Sequence, residues 1–230
     1  MPAKFSIRTL PIVLDRLAED YGLDERYRAE SGIACLVRTI LSQNTSRANS
    51  SAGFAKLTDA FDSWDDVAEA PVEAIEACIR VSGLSRTKAP RIRRILRQVR
   101  DQRGSIEIEH LAGMDPDAAF DYLINFDGVG PKTAWCTLLF AFGMDVFPVD
   151  THIDRIAKRL GWIDACVSAE RAHELIRPHV PQGRGYDLHV LLIQHGRTTC
   201  KARNPRCGVC CLTDLCQWYH RNIRSRLRRE

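Results

Sequence analysis

Five cysteines crowd into residues 200–216, which read CKARNPRCGVCCLTDLC. Four thiolates in so short a loop can close on one metal centre, and both structural zinc and a [4Fe–4S] cluster accept four cysteines. Simple zinc sites usually show two paired C-x2-C knuckles, whereas only one C-x2-C pair is present here. Cys211 competes with Cys210 for one place, and chemistry alone does not separate them. The four in the spacing C-x6-C-x2-C-x5-C are Cys200, Cys207, Cys210 and Cys216.

A lysine follows a Gly-x-Gly turn in residues 123–134, which read LINFDGVGPKTA. Gly128 and Gly130 permit positive φ and close backbone approach, and Pro131 suits the first position of a new helix. The unpaired amides of such a helix start can bind one phosphate oxygen. Lys132 lies in the first turn, where the helix dipole disfavours an ammonium ion. A neutral amine there is a nucleophile that can form a Schiff base. A phosphate-binding or exposed surface lysine is the alternative.

A single aspartate precedes the next helix. Residues 147–160 read FPVDTHIDRIAKRL, and their apolar stripe begins just after Asp150. This position predicts an N-cap whose carboxylate accepts the amides of the first turn. The same residue can aim its carboxylate at a cleft, because a capping aspartate is already rigidly held. Lys132 and Asp150 stand at the starts of successive helices, and their proximity is an expectation that the spacing does not supply.

The elements that must position these groups are helices, because the apolar residues recur with helical period. A short alternation at Ser105–Glu109 is interpreted as an extended connector. The predicted fold class is therefore all-α, with about ten helices joined by short links. The predicted helical stretches are approximately 10–21, 30–42, 46–60, 64–69, 72–81, 87–103, 115–125, 131–142, 151–160, 168–178 and 186–195.

The composition of the 230 residues is that of a globular protein, with 45% hydrophobic and 27% charged residues. Such a length predicts one large domain or two small ones. No apolar run approaches the roughly 20 residues that cross a bilayer, and the N-terminus lacks a signal-peptide core. We therefore expect no membrane association and a cytoplasmic, nucleoid-associated location in a prokaryote. The nine cysteines are an odd number, which argues against a disulfide framework.

Basic residues cluster although the net charge is only +4. Residues 86–103 carry eight arginines or lysines against one aspartate, and residues 221–229 carry five arginines. A solvated helix face and a solvated tail are one interpretation of such runs, and contact with nucleic acid is the other.

Taken together and in order, these motifs resemble the endonuclease III family of DNA base-excision glycosylases. The resemblance rests on the hairpin GVGPKTA, the stretch VDTHI, the segment HGRTTC and the cysteine spacing. It extends to LSQNT at 41–45 and GLSRTKA at 83–89, so it covers nearly the whole chain.

The resemblance implies two helical domains with a DNA groove between them. A six-helix barrel at about 25–145 would carry the helix–hairpin–helix motif, with its hairpin at about 123–134. Residues 1–24 and 146–230 would form the second domain. That domain would hold a [4Fe–4S] cluster in the loop 200–216.

The resemblance also implies residue roles. Lys132 matches the family's Schiff-base lysine and Asp150 its essential aspartate. Gln43 matches the residue that fills the space left by a flipped base, and Leu84 matches the wedge that enters the base stack. The residues that match the DNA-binding hairpin are Gly128 and Gly130, and those that match the cluster ligands are Cys200, Cys207, Cys210 and Cys216, which selects Cys210 over Cys211.

The implied activity is that of a bifunctional DNA glycosylase and abasic-site lyase, acting as a monomer on duplex DNA with oxidised pyrimidines such as thymine glycol. The alternatives are a monofunctional glycosylase for another lesion or mismatch, a weakly active DNA-damage-binding paralogue, and a zinc protein of the same fold. The hairpin departs from the family pattern, which more often has Leu-Pro before Gly-x-Gly and Arg after it. Here Phe126-Asp127 precedes the glycines and Pro131 follows them. Asp127 should weaken anion binding at the hairpin unless a cation pairs with it.

Overall fold

A computed structural model of the chain describes residues 5–23 and 31–224. The described residues form two compact units. One unit comprises those up to residue 23 together with those from Asp145 onward, and the other comprises residues 31–144. The described part of the chain contains helices and turns but no strand, which confirms the all-α prediction. Within the same residues, no helix has the length and apolar character needed to cross a membrane.

The helix boundaries lie close to those predicted, with a few differences. The predicted stretch 72–81 ends as an α-helix at Ile79 and continues as a 3-10 turn, Arg80–Ser82. The connector after residue 103 is irregular only to Ile108, because Glu109–Gly113 form a 3-10 turn. The α-helices are α1 (Leu10–Tyr21), α2 (Gly32–Ser42), α3 (Arg47–Ala60), α4 (Trp64–Glu69), α5 (Val72–Ile79), α6 (Ser85–Arg103), α7 (Pro116–Ile124), α8 (Pro131–Phe142), α9 (Thr151–Leu160), α10 (Ala169–Ile176), α11 (Gly185–Thr198) and α12 (Gln217–Tyr219).

In the unit of residues 31–144, α2 is buried on most of its surface and packs against α3 and α8. Serine side chains begin three of this unit's helices, because each accepts an amide hydrogen bond at the helix start. Helix α6 packs one stripe inward, made of Ile92, Ile95, Leu96 and Val99. Lys88 lies one turn before Ile92 on the same stripe and is itself buried.

The other unit is built on α11, which packs against both α1 and α9. Its core includes Leu14 and Leu17 of α1, Ile153 of α9 and Leu188 of α11. Four partly buried cysteines of the loop 200–216 pack against this core, namely Cys200, Cys210, Cys211 and Cys216. The cysteine loop is therefore fixed to a helical core rather than extended into solvent.

Candidate functional site

The hairpin before α8 is a tight turn with one left-handed glycine. The amide of Val129 donates to the carbonyl of Phe126 over 3.0 Å, and Gly128 has a φ of +79°. These features are typical of a type II turn, with Asp127 and Gly128 at its centre. Gly130 is extended, with a φ of −87°, so only one of the two glycines adopts the positive φ that both permit. Pro131 opens α8 directly after it.

An arginine of α6 lies directly against the turn. A Cβ atom on Gly128 would lie 1.9 Å from Nε of Arg91, so only glycine admits that side chain. Arg91 donates to Oε1 of Gln43 over 3.3 Å. Gln43 in turn donates from Nε2 to Oγ1 of Thr133 over 3.1 Å. The end of α2, the helix α6 and the hairpin are thus joined around one guanidinium.

The acidic residue of the hairpin has a cationic partner. The carboxylate of Asp127 pairs with the guanidinium of Arg94, and both side chains are more than half exposed. Asp127 was expected to weaken anion binding at the hairpin unless a cation pairs with it. Arg94 supplies it, because it lies one turn beyond Arg91 on the same face of α6.

Lys132 is the second residue of α8 and is exposed. Its amine makes no hydrogen bond or ion pair within the described residues, whereas Lys158 pairs with Asp154 over 2.9 Å. Lys88 is buried. Lys132 therefore presents a free amine at the start of the helix that follows the hairpin. Burial does not contribute to its chemistry.

Asp150 caps α9 as predicted, in the other unit. Its Oδ1 accepts the amides of His152 and Ile153, both over 2.8 Å. Its second oxygen has no hydrogen-bond partner among the described residues. Two buried histidines hold the preceding segment: His173 contacts the carbonyl of Phe147 over 2.5 Å, and His189 contacts that of Pro148 over 3.0 Å.

Leu84 stands on an exposed turn before α6. It has a φ of +51° and a ψ of +31°, which is left-handed and costs a non-glycine residue about 1–2 kcal/mol. The side chain is 55% exposed. An apolar side chain held outward on a strained turn is consistent with the wedge role that the resemblance implies.

The basic run of α6 divides into two sets. Arg93 and Arg97 donate to the carbonyl of Ala68, and Arg97 and Arg100 pair with Glu69. These arginines are occupied with α4. Arg86 is 92% exposed, with only a 3.7 Å contact to Glu76. The arginines bound to α4 therefore fit neither a wholly solvated face nor an unbroken row of unpaired cations, and the DNA-facing role of this run stays a prediction. Residues 225–230 of the basic tail lie outside the described residues.

The four cysteines of the C-x6-C-x2-C-x5-C pattern line one cavity. Arg159 donates to Sγ of Cys200 over 3.2 Å. The amides of Leu212 and Tyr219 point at Sγ of Cys210 and Cys216 respectively, both over 3.4 Å. Hydrogen bonds to sulfur stabilise thiolates and tune an iron–sulfur centre. The residues around the cavity thus fit a thiolate-bound cluster.

The electrostatics of the loop also require a positive centre. Burial raises the pKa of Cys210 to about 12, and the other thiols add to this effect. The pKa values of Cys207 and Cys216 are raised by burial as well. Neighbouring thiols with raised pKa values become thiolates together only on a cationic centre.

Cys211 is not part of this cavity. Its charged neighbours are Asp20 and Arg16, which lie on α1. In the described part of the chain, no group of three or more potential ligands is close enough to hold a single metal ion. The cavity thus contains the four cysteines that the resemblance assigns to the cluster, Cys200, Cys207, Cys210 and Cys216, and does not contain Cys211.

Sequence reasoning missed several residues that shape these sites. It placed Lys88 and Arg91 in a run that is either solvated or DNA-facing. Lys88 falls on the apolar stripe of α6, and this position in the sequence pattern could have identified it as a buried residue. It did not single out His195, which is buried and lies 3.7 Å from Sγ of Cys210 through Nε2. Tyr21 contacts the other ring nitrogen of His195 over 2.9 Å. Burial lowers the pKa of His195 to about 4, so the ring is neutral at pH 7.

Comparison with known proteins agrees with this geometry. Residues 37–181 match the HhH-GPD superfamily of base excision DNA repair proteins, and residues 200–216 match the iron–sulfur binding domain of endonuclease III. The fold and the hairpin thus define a helix–hairpin–helix base excision DNA repair protein.

Similar proteins and solved structures show which family within this superfamily the chain resembles. Endonuclease III of Sulfolobus acidocaldarius is 33% identical over 91% of this chain and 96% of its own length. A putative DNA glycosylase of Arabidopsis thaliana is 39% identical over 75% of this chain, which spans only 59% of that relative. A non-covalent endonuclease III–DNA complex matches with a TM-score of 0.82 and 27% identity, over 97% of this chain and 100% of that one. The chain therefore belongs to the endonuclease III family, the DNA glycosylase/AP lyases of base excision repair that carry a [4Fe–4S] cluster.

Proposed function

We propose that this enzyme removes oxidised pyrimidines of the thymine glycol type from duplex DNA and then cuts the strand 3′ to the resulting abasic site. The observation that carries this proposal is the free amine of Lys132, at the start of the helix that follows the hairpin. A primary amine is the group that a bifunctional mechanism needs, because it can form a Schiff base with the sugar.

Lys132 and Asp150 have separate roles in the proposed reaction. The Lys132 amine attacks C1′ of the sugar, and the C1′–N bond to the base breaks with its electron pair leaving on the base, which takes up a proton that the amine loses. The C1′–O4′ bond then breaks, O4′ takes up a proton from water, and a protonated Schiff base forms between Lys132 and C1′. Loss of a proton from C2′ then expels the 3′ phosphate by β-elimination, and water releases the lysine. Asp150 stabilises the positive charge that develops on the sugar.

Access to the base requires the nucleotide to leave the duplex. Flipping costs a few kcal/mol, and less for a damaged pair. Leu84 offsets part of that cost by entering the stack, and Gln43 fills the space left by the base. The exposure of Leu84 supports the first role. The polar contacts of Gln43 with Arg91 and the hairpin support the second, because its amide is held beside the turn.

Phosphate binding falls to the hairpin and its arginines. The turn at Gly128 and the start of α8 offer backbone amides to one phosphate. Arg91 provides a cation at the same place, which replaces the charge absent at Pro131. The four cavity-lining cysteines, Cys200, Cys207, Cys210 and Cys216, would bind the cluster, which when present organises the loop 200–216. Duplex DNA is the partner, and we expect the enzyme to act as a monomer.

Borohydride trapping tests the proposed nucleophile. The protein is incubated with duplexes that carry thymine glycol or a preformed abasic site, and sodium borohydride reduces any Schiff base to a stable amine. We expect a covalent complex on both duplexes with the wild-type protein and with Lys56→Ala, and none with Lys132→Ala. Lys56 is a matched control because it is an exposed helical lysine of the same unit.

Each other result contradicts a defined part of the proposal. Trapping on the abasic duplex alone would exclude thymine glycol as the substrate and leave a lyase. Base release without trapping would support a monofunctional glycosylase. DNA binding without base release or trapping would support a damage-binding paralogue. Asp150→Asn supplies a further check, because asparagine still caps α9 but carries no charge. Its base-release rate should fall by about a hundredfold or more with the melting temperature preserved.

A further inference from the structure

Lys88, the buried lysine of α6, has no role in the chemistry above. It belongs to the motif GLSRTKA at 83–89, which also contains the wedge residue Leu84. Lys88 is 1% exposed. Its Nζ donates to the carbonyl of Leu41 over 2.8 Å and to the carbonyl of Ser82 over 2.9 Å. It therefore joins the end of α2 to the turn before α6, two segments that are far apart in sequence. It is the only lysine among the described residues whose side chain is fully buried.

Each of the two carbonyls lies two residues before a side chain that is proposed to enter the DNA. Leu41 lies two residues before Gln43, and Ser82 lies two residues before Leu84. Leu41 is in the last turn of α2, where carbonyls lack helical partners and the helix dipole favours a cation. The preceding carbonyl of Ile40 is already used by the amide of Gln43 over 3.1 Å. By donating to the carbonyl of Leu41, Lys88 satisfies an acceptor that the end of α2 leaves without a helical partner.

The second segment is held equally tightly. Ser82 is fully buried, and a Cβ on Gly53 of α3 would lie 1.9 Å from its Oγ. After it, Gly83 and Leu84 both have positive φ, so the chain turns sharply before α6 begins. The amide of Lys88 donates to the carbonyl of Leu84 over 2.9 Å. Lys88 therefore contacts the turn through both its backbone and its side chain.

We propose that Lys88 is a positioning residue that fixes the turn carrying Leu84 relative to the end of α2 carrying Gln43, so that both side chains enter the DNA together. This inference rests on the proposed roles of Gln43 and Leu84. Holding a charged lysine there has a cost, since burial and the nearby charge of Arg91 lower the pKa of Lys88. An apolar residue would fill the same stripe without that cost. It would, however, leave two buried carbonyls unpaired and the turn free to shift.

The test uses the full-length protein and a DNA probe that needs no cleavage. The probe is a duplex with a tetrahydrofuran abasic analogue and 2-aminopurine as the base opposite it, whose fluorescence rises when it is unstacked. We compare the wild type with Lys88→Met, Lys88→Arg and the control Arg93→Met. Arg93 is on the same helix and also donates to a carbonyl, that of Ala68, but it faces α4. Fluorescence is read at saturating protein, so that affinity does not enter the signal.

We expect the fluorescence rise at saturation to be largely lost in Lys88→Met, kept in Arg93→Met and partly restored in Lys88→Arg, which can donate to both carbonyls. Base release from the lesion duplex should fall about tenfold or more in Lys88→Met, with a smaller fall in cleavage of a preformed abasic site, because that site has no base to unstack. An equal fall on both duplexes, or an unchanged fluorescence rise, would overturn the positioning role.

A double-mutant cycle keeps the inference testable if Lys88→Met is poorly stable, in which case Lys88→Gln takes its place. Leu84→Ala should reduce the fluorescence rise strongly in the wild type and little in the Lys88 variant, because the wedge is already misplaced there. Additive effects would contradict the coupling. Absence of any fluorescence rise in the wild type would instead count against the proposed insertion of Gln43 and Leu84, so the two failures are distinguishable.

Discussion

The carboxylate of Asp127, at the first central position of the hairpin turn, pairs with the guanidinium of Arg94 on α6. The pair links the element that would bind phosphate to the basic helix beside it. Because both partners are more than half exposed, the pair itself contributes little to stability. Its consequence is electrostatic: one arginine that could face DNA is neutralised.

Asp127→Pro should therefore tighten DNA binding. Proline suits the first central position of a type II turn, so the hairpin keeps its geometry while the carboxylate is removed. Arg94 becomes free to neutralise a phosphate, which would steepen the dependence of log Kd on log salt by about 0.9. The measurement is Kd for duplex DNA across a salt series. Asp121→Asn on α7 is the control for loss of one exposed carboxylate. An unchanged Kd and slope at matched salt would refute this prediction.

Because Arg91 lies against Gly128, an alanine substitution at Gly128 should affect DNA binding more than the same substitution at Gly143, another glycine with positive φ. Gly128→Ala and Gly143→Ala each place a Cβ at positive φ and should each cost about 1 kcal/mol of unfolding free energy. At Gly143 a Cβ meets nothing within 4 Å, whereas at Gly128 it would collide with Arg91. Gly128→Ala should thus also displace Arg91 and Gln43 and weaken DNA binding several-fold. Urea unfolding and DNA titration of both variants compare the two effects. Equal DNA affinities would show that the Arg91 contact is not used in binding.

The sequence predicted those parts of the site that local rules determine. Asp150 follows from the N-cap rule, Lys132 from the helix start after Gly-x-Gly, and the cysteine loop from its spacing. It did not predict which arginines of α6 remain free, because that depends on α4, which is distant in sequence. Lys88 is the clearest case. Lysine is a charged residue type that is usually exposed to solvent, whereas the position of Lys88 on the apolar stripe of α6 predicts that it is buried in the core. Contacts between distant segments decided between those two signals.

The cysteine loop predicts that Cys210 and Cys211 behave differently although they are adjacent. Cys210 lines the cavity and receives the amide of Leu212, whereas Cys211 is near Asp20 of α1. Cys210→Ser should lower the iron content and the visible absorption of the purified protein, while Cys211→Ser should keep both. Iron and sulfide analysis alongside the absorption spectrum measures this. Loss of iron in Cys211→Ser with retention in Cys210→Ser would reverse the ligand assignment.

The division of the basic run predicts unequal salt effects along α6. Arg86→Gln should flatten the log–log salt dependence of DNA binding by about 0.9 if this exposed arginine neutralises one phosphate. Arg93→Gln should leave the slope unchanged, because Arg93 is bonded to the carbonyl of Ala68. Each variant is titrated with the same duplex over the same salt range. A flatter slope for Arg93→Gln would mean that arginines bonded to α4 are released on DNA binding.

The strained turn at Leu84 predicts a separation of stability from function. Leu84→Ala and Leu84→Gly both remove the exposed wedge, so both should reduce release of a damaged base by a similar factor. They differ in conformation, because alanine keeps the left-handed strain and glycine relieves it. The free energy of unfolding of Leu84→Gly should therefore be about 1 kcal/mol higher than that of Leu84→Ala. Chemical denaturation gives the stabilities, and single-turnover kinetics on the lesion duplex gives the rates. If the two variants instead had equal stability, the left-handed conformation would carry no strain; if base release followed stability, Leu84 would act through the fold rather than on the DNA.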